Sequence, residues 1–167
     1  HGCDQRPGPE DRCAALDGVP PVSVRINPVK AAPGALPALE IAGQVPWCRD
    51  GRYLAVRPSF TLDPDFHAGA YYVQEASSQF VGHLLAAVRT EGARILDLCA
   101  APGGKTTLYA SLAGPDGLVV ANEIDRRRAQ VLADNVRKWG TGNVAVTTCE
   151  ARQLGGFEAW FDVVAVD

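Results

Sequence analysis

From Tyr72 onward the apolar positions follow two alternating periods. Between Gln74 and Thr90, Phe80, Leu84, Leu85 and Val88 recur at three- and four-residue steps, which predicts a helix with those side chains on its buried face. Arg94–Leu98 is a short apolar run that predicts a buried strand, followed by a Gly-rich turn and a helix through Leu112. Leu118–Asn122 predicts a second strand, closed by Glu123. Asp125 is placed to cap a helix running to Trp139, which Gly140 or Gly142 ends. Val144–Thr147 reads as a third strand and Phe161–Asp167 as a fourth, nearly all apolar as befits burial on both faces. Strand and helix alternate at intervals of about 25 residues, which calls for a parallel sheet with helices on both faces.

The first part of the chain has a different texture. Residues 1–68 hold ten of the 12 prolines and only short strand-like runs, Val22–Ile26 and Tyr53–Arg57, with Pro33, Gly34 and Pro37 marking a loop between them. The expected organisation is therefore a small α+β module over residues 1–68, then an α/β region over 69–167. The fourth strand brings the chain to Asp167 at the carboxyl end of a parallel strand, the edge where open α/β sheets bind ligands.

Composition narrows the classes. The 167 residues suit one domain or one and a half small ones, and 47% hydrophobic with 21% charged residues is ordinary for a soluble globular chain. No apolar run approaches the ~18–20 residues of a membrane helix. Met is absent even at position 1, and the start has no secretory pattern, so a fragment of a longer protein is expected. The five cysteines, at 3, 13, 48, 99 and 149, form no C-x-x-C pair and sit at no metal-ligand spacing from a His. Free thiols in a reducing cytoplasm and no metal site follow. A net charge of −3 counts against a purely electrostatic nucleic-acid binder, although Arg126-Arg127-Arg128 is a local basic cluster.

The chemistry concentrates between Asp97 and Thr107, in a run of small residues joining strand to helix. Gly104-Lys105-Thr106 would end a phosphate-binding P-loop, but the required first Gly falls on Cys99. The dinucleotide pattern G-x-G-x-x-G fails as well. What fits is the nucleoside-binding turn of an S-adenosylmethionine-dependent methyltransferase, with Glu123, about 20 residues on, bonding the ribose hydroxyls. Taken alone, Glu123 reads equally as a solvated strand-end carboxylate. Arg128 can pair with Glu123, reach the ligand or stay solvated. Glu150 follows the third strand, where an adenine-edge acceptor would sit, and Asp167 follows the fourth. Of the pair Tyr71 and Tyr72, one ring is expected in a core and the other at a rim.

Cys99-Ala100-Ala101-Pro102-Gly103-Gly104-Lys105-Thr106 resembles the cofactor motif of the Sun/Nop-type RNA cytosine-5 methyltransferases. Gly69–Ser78 resembles the segment that precedes it, Asn122-Glu123 with Asn135, Arg137 and Gly140 the second-strand region, Arg25-Ile26-Asn27 a motif near the family's start, and Phe161–Asp167 the strand leading to its Pro-Cys pair. Within the family the chain is most similar to the bacterial branch acting on small-subunit ribosomal RNA.

The resemblance implies a Rossmann-like sheet of which the first four strands are present, S-adenosyl-L-methionine as cofactor and RNA as partner. It implies a cysteine thiolate that attacks carbon 6 of cytosine so that carbon 5 can accept a methyl group. Cofactor contacts would come from Cys99, Ala100, Ala101, Pro102, Gly103, Gly104, Lys105, Glu123, Arg128, Glu150 and Asp167. Lys105 and Asp167 would also assist at the target base. Glu150 replaces the family's usual Asp. Cys99 and Cys149 match neither catalytic cysteine, so the nucleophile is expected to be missing. The competing expectation is a non-catalytic RNA-binding chain, with Arg25, Arg57 and Arg126–Arg128 on phosphates.

Overall fold

The computed structural model describes residues 20–31, 36 and 38–167; Cys3, Cys13 and the loop residues Pro33, Gly34 and Pro37 lie outside them. Two four-stranded sheets follow one another along the chain. The first is antiparallel, built from β1 (Ser23–Ile26), β2 (Ile41–Gln44), β3 (Gly51–Leu54) and β4 (Tyr71–Val73) in the order β2-β3-β1-β4. Side chains alternate across a strand, and β1 uses both faces: all four of its residues are buried. Val24 and Ile26 enter an apolar core with Leu36, Leu39, Leu54, Phe60 and Tyr71. Ser23 and Arg25 face the other way, toward the second sheet.

A 3-10 turn (Phe60–Leu62) and helix α1 (Pro64–Ala68) connect β3 to β4. Asp63 caps α1 by accepting the Asp65 N–H at 2.9 Å, and its other oxygen accepts the buried Tyr71 hydroxyl at 2.6 Å. Tyr71 thus lies in the core while Tyr72 stands at a rim. The composition break at residue 69 falls inside this unit, because β4 pairs with β1. Proline content marks where the long periodic pattern begins, whereas backbone pairing decides which sheet a strand joins.

The second sheet is parallel, in the order β7-β6-β5-β8. Its elements are α2 (Ala76–Leu85), β5 (Arg94–Asp97), α3 (Gly104–Ala113), β6 (Leu118–Asn122), α4 (Arg126–Trp139), β7 (Val144–Thr147), a 3-10 segment (Ala151–Gly156) and β8 (Val163–Ala165). The order reverses between β5 and β8, which makes the turn after β5 the switch point of the sheet. Helix α4 follows its sequence pattern: Asp125 accepts the Arg127 and Arg128 N–H groups at 2.8 and 2.9 Å. Ala129, Leu132, Val136 and Trp139 are its buried stripe, and Gly140, at φ 86°, closes it.

Three expectations change. Helix α2 is shorter than Gln74–Thr90 and turned differently: Phe80, Leu84 and Val88 are exposed, while Ala76 and Gln79 are buried. Close packing on α3 causes this, since an added Cβ on Gly82 would lie 3.3 Å from Leu108, and the small side of the helix wins the interface. Strand β8 is shorter than Phe161–Asp167; among the described residues it is an edge strand, with Val164 55% exposed. The strand expected at Tyr53–Arg57 runs instead over Gly51–Leu54, paired with β2, which has no alternating apolar pattern to announce it.

The two sheets meet through polar side chains of one short segment. Arg25 is 1% exposed. Its Nε donates to Gln74 Oε1 at 3.0 Å, and its Nη2 to Gly104 O at 3.1 Å and Thr107 Oγ1 at 2.6 Å. Its guanidinium lies 4.3 Å from the Trp139 ring centroid, a cation–π contact. Asn27 Nδ2 donates to Gly69 O and Trp139 O, and Lys30 Nζ to Ala68 O and Lys138 O. The role on RNA phosphates expected for Arg25 in the competing reading is therefore excluded: its donors are spent inside the molecule. Burial draws its pKa down to about 10, which still leaves it cationic at neutral pH.

Candidate cofactor and substrate cleft

Strand β5 ends at Asp97, and the chain turns through Leu98–Gly103 into α3. Gly103 sits at φ 108°, a left-handed conformation natural only to glycine. Gly104 is closely approached as well, since a Cβ there would lie 3.2 Å from the Tyr72 ring and push it back by a few tenths of an ångström. With no side chain capping α3, the free N–H groups and positive dipole end of its first turn are open to an anionic or polar ligand.

Asp97 is buried at the end of β5, where it lines the cleft over this turn, and accepts the Thr106 hydroxyl at 2.7 Å. Burial holds its carboxyl above the usual range, with the Thr106 bond and the Lys105 charge opposing. Asn122, at the end of β6, ties three strand ends together. Its Nδ2 donates to Leu98 O after β5 at 3.4 Å and to Cys149 O at 3.1 Å, and its Oδ1 accepts from Thr147 Oγ1 at 3.0 Å and Cys149 N at 3.1 Å. Next to it Glu123 is 3% exposed. One of its oxygens accepts the Asp125 N–H at 3.1 Å, while Oε2 has no hydrogen-bond partner among the described residues. Arg128 Nη1 stands 3.4 Å from that oxygen, and Arg128 Nη2 donates to Ala101 O at 2.9 Å, so Arg128 links the acid to the glycine turn.

A cleft of about 260 Å³ opens over the turn. Of the residues singled out in the sequence, Cys99, Ala100, Ala101, Pro102, Gly104, Lys105 and Asp167 line it, with Lys105 Nζ paired to the Asp167 carboxylate. Gly103, Glu123 and Arg128 support the turn from outside the cleft. Glu150 is not brought in: it is exposed, its carboxylate pairs with Arg152 at 2.6 Å, and it caps the Ala151–Gly156 segment. The opposite wall of the cleft is one the sequence reading did not assign. Tyr72, Val73, Gln74, Glu75 and Ser78 form it, carried by β4 and the start of α2. The available signal was the position of Gln74-Glu75 just before a helix start, and it becomes meaningful only once β4 is known to pair with β1.

A parallel sheet in this order, with a glycine turn at its switch point and an acid closing the neighbouring strand, is the fold of the S-adenosylmethionine-dependent methyltransferases. The crystal structure of a methyltransferase homolog protein from Pyrococcus horikoshii matches with TM-score 0.78 at 30% identity, over 90% of this chain and 51% of that one. NSun6 from Pyrococcus horikoshii with SFG matches at TM-score 0.60 and 29% identity, over 70% and 32%.

The N-terminal domain of 16S rRNA methyltransferase RsmF matches residues 9–76, and 16S rRNA methyltransferase RsmB/F matches residues 84–167. The chain belongs to the RsmB/F family of 16S rRNA methyltransferases. Ribosomal RNA small subunit methyltransferase F of Shewanella sediminis is 34% identical over 155 residues, 87% of this chain and 32% of that protein. Its counterpart in Pectobacterium atrosepticum is 33% identical over 172 residues, 95% and 35%. The chain thus spans about a third of the length of these relatives.

Proposed function

We propose that this chain carries the cofactor-binding half of an S-adenosyl-L-methionine-dependent RNA cytosine-5 methyltransferase acting on small-subunit ribosomal RNA. The observation that carries the reading is the buried Glu123 oxygen without a hydrogen-bond donor, held beside a glycine turn and an open helix start. Its charge is met by Arg128 at 3.4 Å, but a buried carboxylate oxygen that accepts no hydrogen bond is still costly, and ribose hydroxyls would supply the missing donors. The turn residues Cys99–Lys105 would hold the rest of the nucleoside and the amino-acid end, with Arg128 keeping Glu123 in place. When bound, the cofactor supplies an electrophilic methyl group. The Lys105–Asp167 pair faces the same cleft, and the Asp167 carboxylate suits the exocyclic amine of cytosine, a donor. Residues 1–68 are read as the RNA-binding-type module.

The three described cysteines are poorly placed as the attacking thiolate. Cys48 is buried, and burial pushes its thiol up. Cys149 Sγ lies 3.2 Å from Asn122 Oδ1, and Cys99 is part of the cofactor turn. Residues 1–167 alone are therefore expected to transfer no methyl group. Calorimetric titration with S-adenosylmethionine tests the cofactor reading: Glu123→Ala should weaken binding by about 1–3 kcal/mol, the range of a charge-assisted bond. Unchanged affinity removes Glu123 from the site. Label on cytosine carbon 5, after incubating this chain with labelled cofactor and ribosomal RNA, would identify Cys99 or Cys149 as a nucleophile.

A further inference from the structure

Tyr72 is a wall between two clefts. One side of it lines the cofactor cleft, and the other lines a second cleft of about 280 Å³ with Phe60, Phe66, Val73, Asn135 and Lys138. The Tyr72 ring is fixed in that role. Its hydroxyl donates to Pro102 O at 3.3 Å and accepts from Asn135 Nδ2 at 3.4 Å, and the same Asn135 amide donates to Pro102 O at 2.8 Å. The rings of Phe60 and Phe66 stand 6.3 Å apart at 40°.

Cations gather at these rings. Lys138 Nζ lies 3.8 Å from the Phe66 centroid, and the Arg57 guanidinium 5.6 Å from the Phe60 centroid. Two nearby carboxylates are engaged elsewhere, Asp134 with Arg137 at 2.6 Å and Asp63 with Tyr71, while Asp65, beside Phe66 on α1, has no ion pair with either cation among the described residues. Lys138 makes no ion pair among the described residues.

Aromatic faces with unneutralised cations at the rim match the two halves of a nucleotide, a flat base and a phosphate. A base in a duplex would not offer its face, and an apolar peptide side chain would make no use of the cations. We propose that this second cleft takes an unpaired base of single-stranded RNA next to the target nucleotide, with Lys138 and Arg57 moving from the ring faces onto its phosphates. The proposal rests on the RNA-methyltransferase reading above. Because Tyr72 faces both clefts, the base stacked on its far side would fix where the neighbouring nucleotide enters the catalytic side.

The test is binding of a fluorescently labelled single-stranded oligoribonucleotide to the full chain, followed by anisotropy, beside the same strand annealed into a duplex. Lys138→Gln and Phe66→Leu should each weaken single-strand binding about fivefold or more, the lower end of what one stacked base contributes. Duplex binding and S-adenosylmethionine affinity should not change. Phe66 packs against the first core and half-buried Lys138 lies over its ring, so both variants are read together with their melting temperatures. Single-strand binding that is strong in the wild type and unchanged in both variants overturns the assignment of this cleft and leaves the methyltransferase reading intact. A wild-type chain that binds the cofactor but no RNA overturns both the cleft and the RNA part of that reading.

Discussion

Arg25 Nη2 donates to Thr107 Oγ1 at 2.6 Å, joining two residues 82 apart in the chain. The bond runs from the central strand of the first sheet to the first turn of α3, the helix that opens from the cofactor turn. Thr107 in turn donates to Gly103 O at 2.9 Å. The guanidinium makes no ion pair among the described residues; neutral acceptors and the Trp139 ring satisfy it instead. The turn is thus held from behind by the first module.

Replacing Arg25 by Met keeps much of the volume but leaves Gln74 Oε1 buried without its donor and takes one partner from Thr107 Oγ1 and Gly104 O. The expected cost is about 2–4 kcal/mol in urea unfolding. Arg25→Lys should recover little, because a single ammonium cannot reproduce the planar fork. A loss below about 1 kcal/mol for Met would show that the two sheets dock without this residue.

Asp97 gives a pH-dependent prediction. Its carboxyl is held above the usual range by burial, so the native state retains its proton to higher pH than the unfolded chain does. Stability then falls as pH rises from the unfolded value near 3.9 through the raised native value. Asp97→Asn keeps an acceptor for Thr106 and removes the buried charge. It should raise the melting temperature at pH 7, with the advantage gone below about pH 4. A lower melting temperature at pH 7 would mean that the charge-assisted Thr106 bond outweighs desolvation.

Gly69 and Gly92 share a left-handed φ, 73° and 72°, and differ in surroundings. A Cβ on Gly69 would fall 2.0 Å from Lys138 O, whereas one on Gly92 meets nothing within 4 Å. Gly92→Ala should cost about 1–2 kcal/mol from backbone strain alone, and Gly69→Ala at least about 2 kcal/mol more. Thermal melts of the two variants give the difference directly. Equal losses would show that α1 can move off α4 freely.

The second sheet was legible where residues carry their own instructions. The Asp125 cap, the buried stripe Ala129-Leu132-Val136-Trp139 and the apolar runs of β5 to β7 needed no tertiary information. Strand β2 was not legible, because Ile41-Ala42-Gly43-Gln44 has no alternation and its pairing includes a register shift at Gly43. The face of α2 was misassigned because large apolar residues suggest burial, while close packing at Gly82 favoured the small side. In the site, glycines and strand-end acids advertise the turn. Gln74 and Tyr72 do not advertise the facing wall, since a strand pairing across 49 residues delivers them. Arg25 belongs to a family-like motif with Ile26 and Asn27, but nothing local shows that its guanidinium is buried rather than on the surface.

Asn27 and Lys30 reach across to Trp139 O and Lys138 O at the end of α4. Both address main-chain oxygens, so what they read is the path of the backbone and not the identity of the residues along it. Helix C-terminal carbonyls need donors wherever they end, and here the first module supplies them. Among the side chains of α4, Asn135 and Lys138 also touch the first module, through Tyr72 and Phe66. Exposed side chains of α4 such as Arg127 and Gln130 can change charge or size to suit a different RNA while the two modules stay in the same mutual orientation, so the joint is built to tolerate sequence change on the surface beside it.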